Sequence, residues 1–196
     1  NDSYERLLCI AVKSICTFLQ GRLSKLHQFI KDGLDLSLYL GRREWELFFH
    51  FLSCRLSFCL GEYDKAQTSL LYGLNLIEIY SFKEAYPLFQ IWLGRVHIYN
   101  KNVRTGVKIL KNFNKNKEAL LYLAEGYYFL KDKTRALIHI EKANVLQESV
   151  QITLYEKISW LNGYSHIEGF CLTASKKREI LQRYIRSFRA FLLSLY

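Results

Sequence analysis

Apolar residues recur along this chain at helical spacing almost from end to end. Leu120, Leu123, Ala124 and Tyr127 follow one another at intervals of 3, 1 and 3, as one face of a 3.6-residue helix requires. After the polar break Lys131-Asp132-Lys133, the residues Ala136, Ile140 and Ala143 do the same, so residues 117–150 predict two helices joined by a tight turn. Ile152 to Leu161 predicts another helix, ended by Asn162-Gly163, and a short segment runs from His166 to Leu172. Ser175 is a natural N-cap for a long final helix, whose stripe runs from Leu181 through Tyr184, Ile185, Phe188, Phe191 and Leu192 to Leu195. Near the middle, Ser81-x-x-Glu84 has the capping-box pattern. A helix capped there would hold Pro87 slightly too deep, which predicts a kink or a later helix start.

The 117–150 pattern repeats upstream. Gly106, Leu110 and Phe113 fill the slots of Ala136, Ile140 and Ala143, and Leu93-Gly94 fills that of Leu123-Ala124. Gly61-Glu62-Tyr63-Asp64-Lys65-Ala66 reads as a turn into a second helix, followed by Leu70 and Gly73. The first copy contains Ser14, Gly21, Leu26, Ile30 and Gly33. Small side chains at such slots let helix axes approach, and larger ones fill the gaps beside them. The unit resembles a tetratricopeptide repeat, whose usual period is about 34 residues. The equivalent positions Leu26, Ala66, Gly106 and Ala136 lie 40, 40 and 30 residues apart, so helix and turn lengths vary. The family's Trp at the fourth position is replaced by His50, Gln90 and Leu120, and its closing proline is missing.

The resemblance covers residues 7–150, as copies at 7–46, 47–86, 87–116 and 117–150. It implies an all-α, right-handed α-α superhelix, a solenoid of about five helix pairs. Residues 151–196 would add the last pair and an amphipathic capping helix. It also implies a concave groove lined by first helices. Carried over residue by residue, the groove slots fall on Phe48, Phe51, Arg55, Phe58 and Cys59 in the second copy. In the third they fall on Leu88, Ile91, Arg95, Ile98 and Tyr99, and in the fourth on Glu118, Leu121, Glu125, Tyr128 and Phe129. Such a groove would hold a partner helix or extended peptide, anchored by aromatics and oriented by Arg55 and Arg95; the equal alternative is that neighbouring helices or the rest of the protein cover these side chains. The asparagines with which some family members clamp a C-terminal carboxylate are absent, so that activity does not transfer.

Composition narrows the classes. Half of the 196 residues are apolar and 23% are charged, enough for a packed core. One proline and ten glycines are too few turn formers for a β-sandwich or barrel. The most apolar stretch, Trp45 to Leu60, is interrupted by Glu46, His50 and Arg55, whereas a membrane span needs about 20 mostly apolar residues. Five cysteines without a CxxC pair predict free thiols and a reducing, cytoplasmic setting. A chain that opens on Asn1 and holds no methionine is expected to be a fragment or a processed product.

Catalytic motifs are missing: no GxSxG, no phosphate-binding glycine loop, no paired carboxylates. His50 and Cys54 are the nearest approach to a metal pair, and a structural zinc needs four ligands. No enzyme activity, metal or cofactor is expected. The net charge is +10, and within 170–196 the cations Lys176, Lys177, Arg178, Arg183, Arg186 and Arg189 face only Glu179. The first reading of these cations is a solvated back face on the capping helix; the second is a surface for an acidic protein or, peripherally, an anionic membrane. Nucleic acid is not expected, because the polar side chains of a one-base-per-repeat code are missing. The leading expectation is a non-enzymatic scaffold that binds another protein or peptide segment, within a larger assembly. The alternatives are a peptide-sensing regulatory domain of a larger protein and a basic helical module that binds RNA or an anionic membrane.

Overall fold

A computed structural model describes residues 2–145 as all-helical. The expected helices after residue 150, the basic surface from Lys176 to Arg189, and Cys171 lie outside the described residues. The elements are α1 (Asp2–Leu19), α2 (Leu23–Tyr39), α3 (Arg43–Cys59), α4 (Tyr63–Tyr80), α5 (Tyr86–Tyr99), α6 (Val103–Lys111), α7 (Lys117–Phe129) and α8 (Lys133–Val145). A single 3₁₀ turn, Lys83–Ala85, precedes α5. Helices adjacent in sequence pack on one another from α1 to α4 and again from α5 to α8. The chain divides into two compact units at the start of α5.

The turns explain why the helices stop where they do. Gly21, Gly41 and Gly61 sit at φ of +70°, +66° and +75°, the left-handed conformation that glycine adopts without a Cβ penalty. Around each, two amides fold back on the helix that ends there. At Gly61 these are Gly61 N–H to Phe58 O at 3.1 Å and Glu62 N–H to Ser57 O at 2.8 Å. Ser81, Lys101 and Lys131 close α4, α5 and α7 in the same left-handed region, without glycine's freedom. From residue 21 to residue 101 this conformation recurs every 20 residues, and then skips to 131. Two such intervals equal the 40-residue spacing of Leu26, Ala66 and Gly106. The shorter final interval reflects α6, which has only nine residues.

Pro87 is the second residue of α5, inside the first turn, where its missing N–H costs nothing. A later helix start therefore resolves the proline. Ser81 does not cap α5: it ends α4, and the 3₁₀ turn begins from Phe82 with no side-chain cap.

In the first unit, Leu7, Ala11, Leu26, Ile30, Trp45, Phe49, Leu52 and Leu56 form one core. Trp45 meets Tyr4 and Phe48 edge-on at ring-centroid distances of 6.0 Å. Gly33 of α2 faces the Phe49 ring so closely that a Cβ there would lie 2.3 Å from it. Side chains of low number on α1 meet those of low number on α3: Tyr4 touches Trp45, while Phe18 lies 4.5 Å beneath the Arg55 guanidinium. The two first helices thus run side by side in the same direction.

The second unit follows the same rule. Gly94 of α5 and Gly106 of α6 bring two backbones together, and a Cβ on Gly106 would stand 2.4 Å from the Gly94 carbonyl oxygen. Val107 and Leu110 of α6, Leu120 and Leu123 of α7, and Ala136, Ile140 and Ala143 of α8 are buried. Of the upstream equivalents, Gly94, Gly106 and Leu110 are buried, while Phe113 is half-buried.

Candidate functional site

The central groove positions of α5 and α7, Arg95 and Glu125, face one another rather than water. Arg95 and Glu125 occupy the same slot in successive copies, 30 residues apart, and form a bidentate ion pair: Nε to Oε2 at 3.1 Å and Nη2 to Oε1 at 3.0 Å. Arg95 is 6% exposed and Glu125 4%. The third nitrogen of Arg95, Nη1, donates to the Tyr122 hydroxyl at 3.3 Å, which itself donates to Glu118 Oε1 at 2.6 Å. The guanidinium also lies over the rings of Tyr122, Trp92 and Tyr99, at 4.3, 5.3 and 5.8 Å. Equivalent aromatics meet as well: Trp92 with Tyr122 at 5.8 Å and Tyr99 with Phe129 at 5.4 Å, both edge-on.

Burial sets the electrostatics of this cluster. It works against the charge on Arg95, but the facing Glu125 carboxylate, with Tyr122 and Tyr99, outweighs it and holds Arg95 above its ordinary value. Burial raises the Glu125 carboxyl, and Arg95 opposes that shift. Burial pushes the Tyr122 and Tyr99 hydroxyls upward too, so both stay neutral donors.

The sequence leads one to expect Arg95 as a groove cation that meets a ligand. In the fold its donors are spent on Glu125 and Tyr122 instead. Ile91 and Ile98 are likewise buried, at 1% and 2% exposure. The physical reason is stacking: α5 and α7 lie close enough that equal slots touch. That signal was present in the sequence, since opposite charges stand in the same slot of neighbouring copies. The remaining expected residues stay nearer the surface. Phe51, Arg55, Phe58, Tyr99, Leu121 and Tyr128 are half-buried, and Phe129 is exposed. Phe58 rests against Tyr63 at 5.4 Å and Tyr128 against Phe129 at 6.4 Å.

A second polar cluster joins α3 and α4. Glu46 is fully buried, and accepts from Arg43 Nη1 at 2.6 Å and from the Tyr72 hydroxyl at 3.0 Å. The His50 ring lies 4.2 Å from that of Tyr72, tilted by 35°. Burial lowers the His50 pKa from its ordinary value, with Glu46 acting the other way. His50 thus packs on Tyr72, while Cys54 is buried. Among the described residues no group of three or more His, Cys, Asp or Glu gathers for a metal. No described helix is long and apolar enough to cross a membrane.

Comparison of the chain with protein-family models, with curated proteins and with solved structures returns no match.

Proposed function

We propose that the chain is a tetratricopeptide-like helical-repeat scaffold that binds a segment of another protein along its first helices. One observation carries this reading: the recurring helix–turn–helix unit, with Leu26, Ala66, Gly106 and Ala136 buried in equivalent second-helix slots. A chain built of such units spends its second helices on packing and turns its first helices toward one side. On that reading the pairs continue as a superhelix, and half-buried Phe51, Arg55, Phe58 and Tyr128 with exposed Phe129 supply the anchoring side chains. Arg95 and Glu125 stiffen the stack rather than touch the ligand.

The test is a titration of a partner co-purified from the native cells. The variants Arg55→Ala and Tyr128→Ala are expected to weaken binding at least tenfold with helical content unchanged, a loss of about 1.4 kcal/mol. Charge reversal at Arg186 and Arg189 is expected to leave it intact. Binding that survives the first-helix changes and collapses on the charge reversal overturns the groove reading.

A further inference from the structure

The excess charge of the described chain is not spread evenly. Residues 1–86 hold ten Lys and Arg against ten Asp and Glu, while residues 87–145 hold eleven against four. Most of that surplus sits on and around α6. Between Lys101 and Lys117 stand six cations and no acid; Glu118 is the first carboxylate after them.

The helix sorts these cations onto one side. Arg104, Lys108 and Lys111 follow at i, i+4 and i+7, the spacing of a single helical face, and all three are exposed. Over seven residues at 1.5 Å rise they span about 10 Å. Lys101, at the left-handed turn before the helix, and Lys115, in the turns after it, are exposed and extend the row at both ends. Exposed Asn102, Thr105, Asn112 and Asn114 add neutral donors beside them. The opposite side of α6, Gly106, Val107 and Leu110, is buried and fixed by the close Gly94 contact. The described ion pairs of this unit, Arg95–Glu125 and Arg135–Asp132, involve none of the row.

From this arrangement we infer that α6 is a docking edge for the phosphodiester backbone of a duplex nucleic acid. Three features favour that partner over other polyanions. The apolar residues within the row, Val103, Ile109 and Phe113, are half-buried and outnumbered by exposed cations and amides, whereas lysine is depleted at the centres of protein interfaces. The apolar side of α6 is committed to the fold, so the helix has nothing to insert into a bilayer. Lys and Arg with amide and hydroxyl donors are the set that holds phosphates, through counterion release and without reading bases. The row also lacks the exposed rings on which unpaired bases stack, which favours a duplex over a single strand. Backbone docking needs no base-by-base code, so the missing code does not count against it.

The test uses the full chain and fluorescently labelled duplexes of mixed sequence, one of DNA and one of RNA, titrated between about 50 and 200 mM salt. Binding is expected to weaken steeply with salt. The triple change Arg104→Gln/Lys108→Gln/Lys111→Gln is expected to cost at least tenfold and to shrink the log–log salt slope by about 3. A control triple on the other unit, Arg22→Gln/Lys25→Gln/Lys31→Gln, removes equally exposed cations and is expected to change nothing. Lys101→Gln/Lys115→Gln, outside the helix, supplies a second reading should the triple change disturb α6; its slope is expected to fall by about 2. Comparing the two duplexes shows whether the backbone is DNA, RNA or either. Absence of binding at low salt, or equal losses in the control triple, overturns the inference. So does binding to phosphatidylserine vesicles or polyglutamate with the same dependence on α6, which would assign the edge to a membrane or an acidic protein.

Discussion

Arg95 is a charge in a place where a charge is expensive, and its neighbours determine whether it can stay. The guanidinium has three hydrogen bonds and three aromatic rings around it. Removing one member of a buried pair strands the other, which typically costs about 3–5 kcal/mol. Arg95→Ala and Glu125→Ala are each expected to fall in that range by urea denaturation. The double change Arg95→Met/Glu125→Leu, which keeps volume and leaves no orphaned charge, is expected to cost less than either. A double variant as unstable as the worse single one would show that packing, not charge, dominates the site. The pairing also decides what an alanine at 95 means: lost binding in that variant would report a damaged core.

At the level of elements, the turns carry more of the design than the helix sequences do. Gly61 has nothing within 4 Å of the place where a Cβ would stand, so its glycine serves conformation alone. Lys131 takes the same left-handed geometry, at φ of +61°, with a side chain that disfavours it by about 1–2 kcal/mol. Lys131→Gly is therefore expected to raise the melting temperature by about 2–4 °C, and Gly61→Ala to lower it. Opposite signs would mean that the turn is not the strained element. The same elements show what was legible beforehand. Helical periodicity placed Leu26, Ala66, Gly106 and Ala136 in the interior, because a 3.6-residue pattern is local. Gly33 against Phe49 was not legible in that way, because its partner belongs to the next helix. Ser81 misleads for a local reason: its pattern suits an N-cap, yet a helix ending one residue earlier claims it as a left-handed stop. The aromatic row of α5 and α7 reads equally well as groove or as stack, and only the spacing between helices decides.

Across the whole molecule, two half-buried histidines tie stability to acidity. Burial lowers His50 and His97 from their ordinary values, and the buried Nδ1 of His97 has no hydrogen-bond partner among the described residues. The unfolded chain therefore binds more protons as pH falls below about 6.5, the ordinary histidine value. Stability is full above that value and is lost on acidification through the lowered folded-state values. The raised Glu125 carboxyl acts in the opposite sense, so the difference between wild type and His50→Gln/His97→Gln is the quantity to measure. The urea midpoint of the wild type, relative to that variant, is expected to drop between pH 7.5 and pH 5. Parallel curves would show that neither imidazole is held neutral by the fold.

The contact between Arg95 and Glu125 has one more consequence, for how the second unit comes apart. Repeat arrays commonly fray from an end, one unit at a time, because each unit holds only its neighbours. Here the departure of α7 would leave a guanidinium facing the hole that Glu125 and Tyr122 had filled, and would expose Trp92 and Tyr99. The bidentate pair and the ring contacts are therefore all given up in one step when the two helices separate. Amide exchange in α5 and α7 is expected to proceed at one common opening free energy, and in Arg95→Met/Glu125→Leu to separate into two.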